Sequence, residues 1–202
     1  MIAIIDYGMG NIHSVQKALE LQGAKTCVTN KCQDIRSAEK VVLPGVGAFD
    51  DAMMELEKQG LIPVIKEHIK LKKPFLGICL GMQLLFDVSQ EAKKKKGLGI
   101  IKGTVKRFSV KPPLKGPHMG WNQLEKVSAC PLLTDVPDGS YVYFCHSYYP
   151  APVDKGLVAA TCDYVLDFAA IIWKDSIFGV QFHPEKSQAI GLTMLKNFVT
   201  LC

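Results

Sequence analysis

The chain has 202 residues, 48% of them hydrophobic and 21% charged, with a formal net charge of +5 at pH 7, a composition close to that of an average globular domain with one sizeable core. Its longest apolar stretch, at 75–86, is shorter than the roughly 18 residues that suggest a membrane span and is interrupted by Gly and Gln, so no transmembrane helix is expected. Four of the positive charges stand in the run 93–96 with no aromatic residue between them, which reads as a solvated loop and not as a nucleic-acid surface.

The first residues, Met1 to Asp6, have no basic region and reach an acid within six positions, so they read as a buried strand and not as a secretory signal. The seven cysteines are never spaced C-x-x-C, which argues for a reducing, cytoplasmic compartment. Cys27, Cys32, Cys130, Cys145, Cys162 and Cys202 read as small hydrophobes.

Ile2, Ala3, Ile4 and Ile5 predict a strand; Ile12, Val15, Ala18 and Leu19 follow at helical spacing, and Gly23 marks the helix end. The βα unit repeats with Val41, Val42 and Leu43 before a helix from about Phe49. It repeats again with Phe75, Leu76, Gly77 and Ile78 before a helix over 80–86. Strands alternating with helices predict a parallel sheet covered on its faces. From about Gly99, closely spaced strand-like runs at 100–108, 141–144, 157–161, 169–173 and 178–182 predict an added antiparallel meander. Ile190, Met194, Leu195 and Phe198 then share one face of a helix from about Gln188. With no repeat or linker, residues 1–202 read as one α/β domain.

Within this pattern, Gly77-Ile78-Cys79-Leu80-Gly81 reads as strand, tight turn, helix. G-x-C-x-G is the cysteine counterpart of a nucleophile elbow, whose glycines relieve a strained turn that lifts the nucleophile above the sheet. A thiolate there is favoured by the positive end of the helix dipole, and the Leu80 N–H can point at a developing oxyanion. The alternative is a glycine-flanked core strand with a buried cysteine.

Of five histidines, only His183 comes with its own orienting group, in His183-Pro184-Glu185 after the strand at 179–182. Residues two apart in an extended segment project the same way, so Glu185 can hold the imidazole and complete a nucleophile, base and orienter set. His13 and His68 lie in helical patterns and read as solvated. His118 and His146 sit near strand ends, able to touch a ligand or partner but without a neighbouring carboxylate. Zinc ligands usually come in close pairs, whereas Cys79 stands alone, so no metal is expected. The loop Asp6-Tyr7-Gly8-Met9-Gly10-Asn11, with Asn11 as a helix cap, matches neither dinucleotide nor P-loop spacing.

GICLGMQLLF around Cys79, PGVGAF at 44–49 and FHPEKS at 182–187 resemble the triad-type, class I glutamine amidotransferases. DYGMGNIHSV at 6–15, PHMGWN at 117–122 and YFCHSYY at 143–149 resemble, more narrowly, the glutaminase subunits of imidazole glycerol phosphate synthase in histidine biosynthesis. Related glutaminases of anthranilate synthase typically carry PGPG where this chain has Pro44-Gly45-Val46-Gly47, and Cys145 stands where an aliphatic residue is commoner.

The resemblance implies a flavodoxin-like, three-layer fold with the meander added, and hydrolysis of L-glutamine to glutamate and ammonia without a cofactor. It implies Cys79 as nucleophile, His183 as acid and base, and Glu185 as orienter. Oxyanion donors would come from Leu80 and the Gly45-Val46 backbone, and glutamine contacts from Gly47, Gln83, His146, Ser147 and Tyr148. It further implies a (βα)₈-barrel cyclase subunit as partner, faced by Gly10, Asn11, Met119, Trp121 and Lys186, with core packing as the alternative for Met119 and Trp121. Two other readings stay open: a glutaminase serving a different synthase, and a non-catalytic flavodoxin-like binding module.

Overall fold

The computed structural model describes residues 1–111 and 116–202. β1 (Ile2–Ile5) is buried at every position, as a strand covered on both faces must be. It leads through the loop at 6–11 into α1 (Ile12–Leu21). Gly23, at φ +81°, takes the left-handed position just beyond that helix. β2 (Thr26–Thr29), α2 (Cys32–Ser37), β3 (Lys40–Gly45), α3 (Phe49–Lys58), α4 (Leu61–Lys70) and β4 (Phe75–Cys79) continue the winding.

α5 (Leu80–Gln83) is a single turn, and β5 (Phe86–Ser89) follows. The helix expected over 80–86 therefore stops early. Its would-be helical carbonyls are taken by a distant segment: Leu98 N–H donates to Leu84 O at 2.8 Å, Ile100 and Ile101 N–H to Leu85 O at 2.9 and 3.0 Å, and Gly99 N–H to Phe86 O at 3.3 Å.

Next come β6 (Ile101–Arg107), β7 (His118–Gln123), β8 (Glu125–Lys126), β9 (Tyr141–His146), β10 (Tyr148–Pro152), β11 (Val158–Tyr164), β12 (Leu166–Lys174), β13 (Ile177–Val180) and α6 (Gln188–Thr200).

One eight-stranded sheet runs in the order β2-β1-β3-β4-β13-β12-β11-β8. Its members from β2 to β13 are parallel, and β12, β11 and β8 add antiparallel. The expected meander is thus partly the edge of the main sheet. The remaining strands form two small sheets, β10-β6-β5 and β7-β9.

Alternate side chains of the central strands feed two cores. Ile2, Ile4, Val42, Leu76 and Ile78 pack with Val15 and Leu19 of α1 and with Met194, Leu195 and Phe198 of α6. Ala3, Ile5, Val41, Leu43 and Phe75 pack with Ile35 of α2, Phe49 and Leu56 of α3, and Val64 and Ile65 of α4. The strand period of two thus builds three layers, with helices on both faces.

His68 corrects the expectation of a solvated face: it is 2% exposed. One ring nitrogen lies 3.1 Å from Pro74 O, tying the end of α4 to the start of β4. Among the described residues no helix is long and apolar enough to cross a membrane.

Candidate active site

Open α/β sheets place ligands beyond the carboxyl ends of their strands, and three such ends meet here. Cys79 ends β4 and is the register partner of Gly45 at the end of β3. On its other side β13 pairs through Val180 with Ile78, and the chain then passes through Gln181 and Phe182 to His183. Residues 45, 79 and 183 are adjacent because β3, β4 and β13 are neighbours in the sheet.

Cys79 has φ +54° and ψ −110°, a strained conformation for a residue with a Cβ, costing on the order of 1–3 kcal/mol. The flanking glycines make the turn possible. A side chain on Gly81 would overlap the Leu43 carbonyl oxygen of β3, and one on Gly77 would stand 2.7 Å from Gly81 O. α5 supplies only one turn of peptide dipoles, so the electrostatic help expected from the helix is that of its first amides. Leu80 N–H is the first of them and has no intrahelical partner by position.

His183 is 4% exposed, with its imidazole beside the Cys79 side chain. Its Nδ1 lies 2.9 Å from Glu185 Oε1, which leaves the other ring nitrogen to the sulfur. Residues 183 and 185 do not alternate along an extended strand as expected. Pro184–Lys186 is a 3-10 turn, and the turn folds Glu185 back onto the imidazole. The turn is fastened to β9, since His183 N–H donates to Tyr143 O at 2.9 Å. Ser187 Oγ accepts from Tyr143 N–H at 3.0 Å and donates to His183 O at 2.6 Å. Burial alone would pull the His183 imidazole down, but the hydrogen bonds and charges of Cys79 and Glu185 outweigh it and hold His183 at about 10. The thiolate and carboxylate on either side thus favour the protonated form of the imidazole.

A pocket of about 330 Å³ opens over these groups, lined by Val46, Gly47, Cys79, Leu80, Gln83, Glu91, Cys145, His146, Ser147, Tyr148, His183 and Lys186, with Pro117 at its edge. A larger cavity, about 740 Å³ between Lys126 and Leu201, brings no base to a nucleophile, so the chemistry points to the smaller one. Gly45 and Glu185 do not line the pocket themselves: Gly45 precedes the lining residue Val46, and Glu185 bonds the lining residue His183.

Gln83 is 4% exposed, with its Nε2 donating to Tyr148 O at 3.0 Å. His146 Nδ1 bonds the same carbonyl at 2.7 Å, and its Nε2 lies 3.0 Å from His118 Nδ1. Burial pushes His146 down to about 3 and His118 to about 4, so this pair is neutral and structural at pH 7.

Glu91 escaped the sequence reading, because an acid in a polar run carries no motif. It contributes the one carboxylate on the pocket wall, and burial raises its carboxyl above the usual range. Its Oε2 accepts from Phe49 N–H at 3.0 Å. The lysine run beside it is pinned as well: Asp50 accepts from Lys93, Lys94 and Lys95 N–H at 2.8, 3.0 and 2.9 Å.

Of the residues expected at a partner face, Lys186 is exposed, with its ammonium 5.9 Å above the Tyr143 ring. Met119 and Trp121 are 62% and 46% exposed, on the outward side of β7, so core packing is excluded for both. Gly10 and Asn11 immediately precede α1, which packs on the Pro184–Lys186 turn. Asn11 occupies the helix cap position without the side-chain hydrogen bond expected of it.

The family described as glutamine amidotransferase class-I matches residues 3–202. Imidazole glycerol phosphate synthase subunit HisH of Thermosynechococcus vestitus is 54% identical over 202 residues, covering 99% of this chain and 96% of that protein. HisH of Geobacter sulfurreducens is 52% identical over 202 residues, covering 98% and 97%. Among solved structures, PurLQS from Thermotoga maritima is 18% identical and has a TM-score of 0.76 over 99% of this chain and 97% of that one, a likeness in fold alone.

Proposed function

Because the chain belongs to the class-I glutamine amidotransferase family, we propose that it is the glutaminase subunit of imidazole glycerol phosphate synthase. In this reading it hydrolyses L-glutamine and passes the ammonia to a cyclase subunit that forms imidazole glycerol phosphate and AICAR in histidine biosynthesis. The observation that carries the chemistry is Cys79 and His183 on one pocket wall, with the Glu185 carboxylate bonded to the imidazole.

The Cys79 thiolate attacks the glutamine carboxamide carbon, and the tetrahedral oxyanion is held by Leu80 N–H and the Gly45-Val46 backbone. His183 gives its proton to the departing nitrogen, the C–N bond breaks, and ammonia leaves a glutamyl thioester. Water, deprotonated by His183, then attacks the thioester. Glutamate departs and the thiolate is restored. Glu185 keeps the imidazole oriented throughout. Gln83, Gly47, His146, Ser147 and Tyr148 shape the glutamine site, and Glu91 offers its carboxylate to the substrate ammonium.

Ammonia freed into water protonates and ceases to be a nucleophile, so its acceptor must sit beside this site. In this reading the acceptor stands on a second chain, as the subunit names of the relatives suggest. We assign that partner as a (βα)₈-barrel cyclase, met by Gly10, Asn11, Met119, Trp121 and Lys186. The seven free cysteines suit a reducing, cytoplasmic setting.

The reading is tested with Cys79→Ala in the two-chain enzyme. Ring closure fed by glutamine should vanish while ring closure fed by an ammonium salt persists. Equal loss of both would remove the nucleophile role.

A further inference from the structure

Besides His183, a second side chain reaches the nucleophile. Gln181 is completely buried, and its Nε2 stands 3.7 Å from Cys79 Sγ, within hydrogen-bond range for sulfur. Its Oε1 accepts from Gln83 Nε2 at 2.9 Å, and Gln83 Nε2 also donates to Tyr148 O at 3.0 Å. The direction of this chain is fixed from its far end. A backbone carbonyl can only accept, so Gln83 must turn its NH₂ toward Tyr148 O, and the second N–H of that group meets Gln181 Oε1. Gln181 is then left with its own NH₂ toward the sulfur. Reversing Gln83 would bring two oxygens together, and reversing Gln181 would bring two NH₂ groups together, in a buried site.

The anchor is itself immobilised. His146 Nδ1 donates to Tyr148 O, His146 Nε2 accepts from His118 Nδ1, and His118 Nε2 accepts from Asn122 Nδ2 at 3.2 Å. A second Asn122 N–H donates to Asp163 O at 2.8 Å.

We propose that Gln181 is a further catalytic residue, whose carboxamide N–H, aimed by Gln83 and the Tyr148 carbonyl, hydrogen-bonds the Cys79 thiolate and stabilises its charge. A hydrogen bond to an ionised acceptor is stronger than one to its neutral form, so the donor favours thiolate over thiol. Gln181 thus complements His183 without exchanging a proton. The proposal rests on the reading of Cys79 as nucleophile.

The test measures alkylation of Cys79 by iodoacetamide across pH on the full chain, with the labelled peptide identified by mass spectrometry. Gln181→Met keeps the volume and removes the donor; Gln181→Glu keeps the shape and turns a carboxylate to the sulfur. At pH 7 the rate should fall about ten-fold in Gln181→Met and further in Gln181→Glu, with all three proteins converging at high pH, where the thiol is ionised regardless. A Gln181→Met profile that superimposes on wild type overturns the proposal, as does an equal loss at every pH, which would signal altered packing. A wild-type Cys79 that reacts no faster than the other six cysteines overturns the nucleophile reading itself.

Discussion

Gly45 and Cys79 face each other at the last rung of the parallel β3–β4 ladder, and the space a Gly45 side chain would need is already filled. An ideal Cβ there would lie 2.5 Å from the Tyr7 hydroxyl, 3.0 Å from Leu80 Cβ and 3.1 Å from Gly81 N. Tyr7 is wholly buried and cannot swing aside. The backbone before Val46 is therefore packed directly against the first residues of the helix that follows the nucleophile.

Gly45→Ala must spread these two segments. Stability should fall by about 1–3 kcal/mol, and kcat for glutamine hydrolysis by about 100-fold, as for loss of one oxyanion donor, with the ammonium-fed reaction of the partner intact. Steady-state kinetics with both nitrogen sources check this. Unchanged glutamine turnover would place the oxyanion elsewhere.

Glu91 lines the pocket without touching Cys79 in any described hydrogen bond, so its removal should affect binding and spare chemistry. For Glu91→Gln we expect KM for glutamine to rise about ten-fold or more with kcat little changed. Asp50→Ala, which frees three backbone amides of the neighbouring loop, should move KM in the same direction by a smaller factor. A Glu91→Gln variant that lost kcat alone would contradict an ammonium-binding role.

The raised His183 predicts how stability varies with pH. Burial opposes the proton, yet the bonds to Cys79 and Glu185 lift His183 from 6.5 to about 10, so the folded chain holds this proton more tightly than the unfolded chain. Its stabilising contribution is complete below about pH 6.5 and is lost as pH rises through about 10. Thermal midpoints should therefore fall between pH 7 and 10, and less steeply in Cys79→Ala, which removes one source of the lift. Parallel curves for the two proteins would refute the coupling.

Lys40 sends its ammonium into the end of α6, donating to Phe198 O and Val199 O at 2.9 and 2.8 Å and to Cys202 O. Lys40→Met leaves these carbonyls without their cation. The cost should be about 1–3 kcal/mol in denaturant unfolding, with glutamine turnover unchanged. No loss of stability would mean that water replaces the lysine freely.

The parallel half of the fold is legible in the sequence because β1, β3 and β4 are continuous apolar runs separated by helices of clear period, and Gly77 and Gly81 mark the elbow. Phe86 misled because helical spacing from Leu80 onward is overridden by hydrogen bonds from residues 98–101, contacts that no local pattern encodes. α2 was missed because only Ile35 in it is buried. His183 and Glu185 were legible as a pair although their contact is made by a 3-10 turn. Glu91, Ser187 and the donor geometry of Gln181 depend on partners far away in the chain, from Phe49 to Tyr148, and became visible only with the fold. Met119 and Trp121 could be core or surface until the register of β7 and β9 turned them outward.

The most direct test is acid-quench trapping of the chain during turnover of isotopically labelled L-glutamine in the presence of the cyclase subunit, followed by peptide mass spectrometry. A glutamyl thioester on Cys79, accumulating and decaying with the release of glutamate, is the predicted result. Glutamate release with undiminished rate and no acyl group on Cys79, or with the label on another cysteine, would contradict the account.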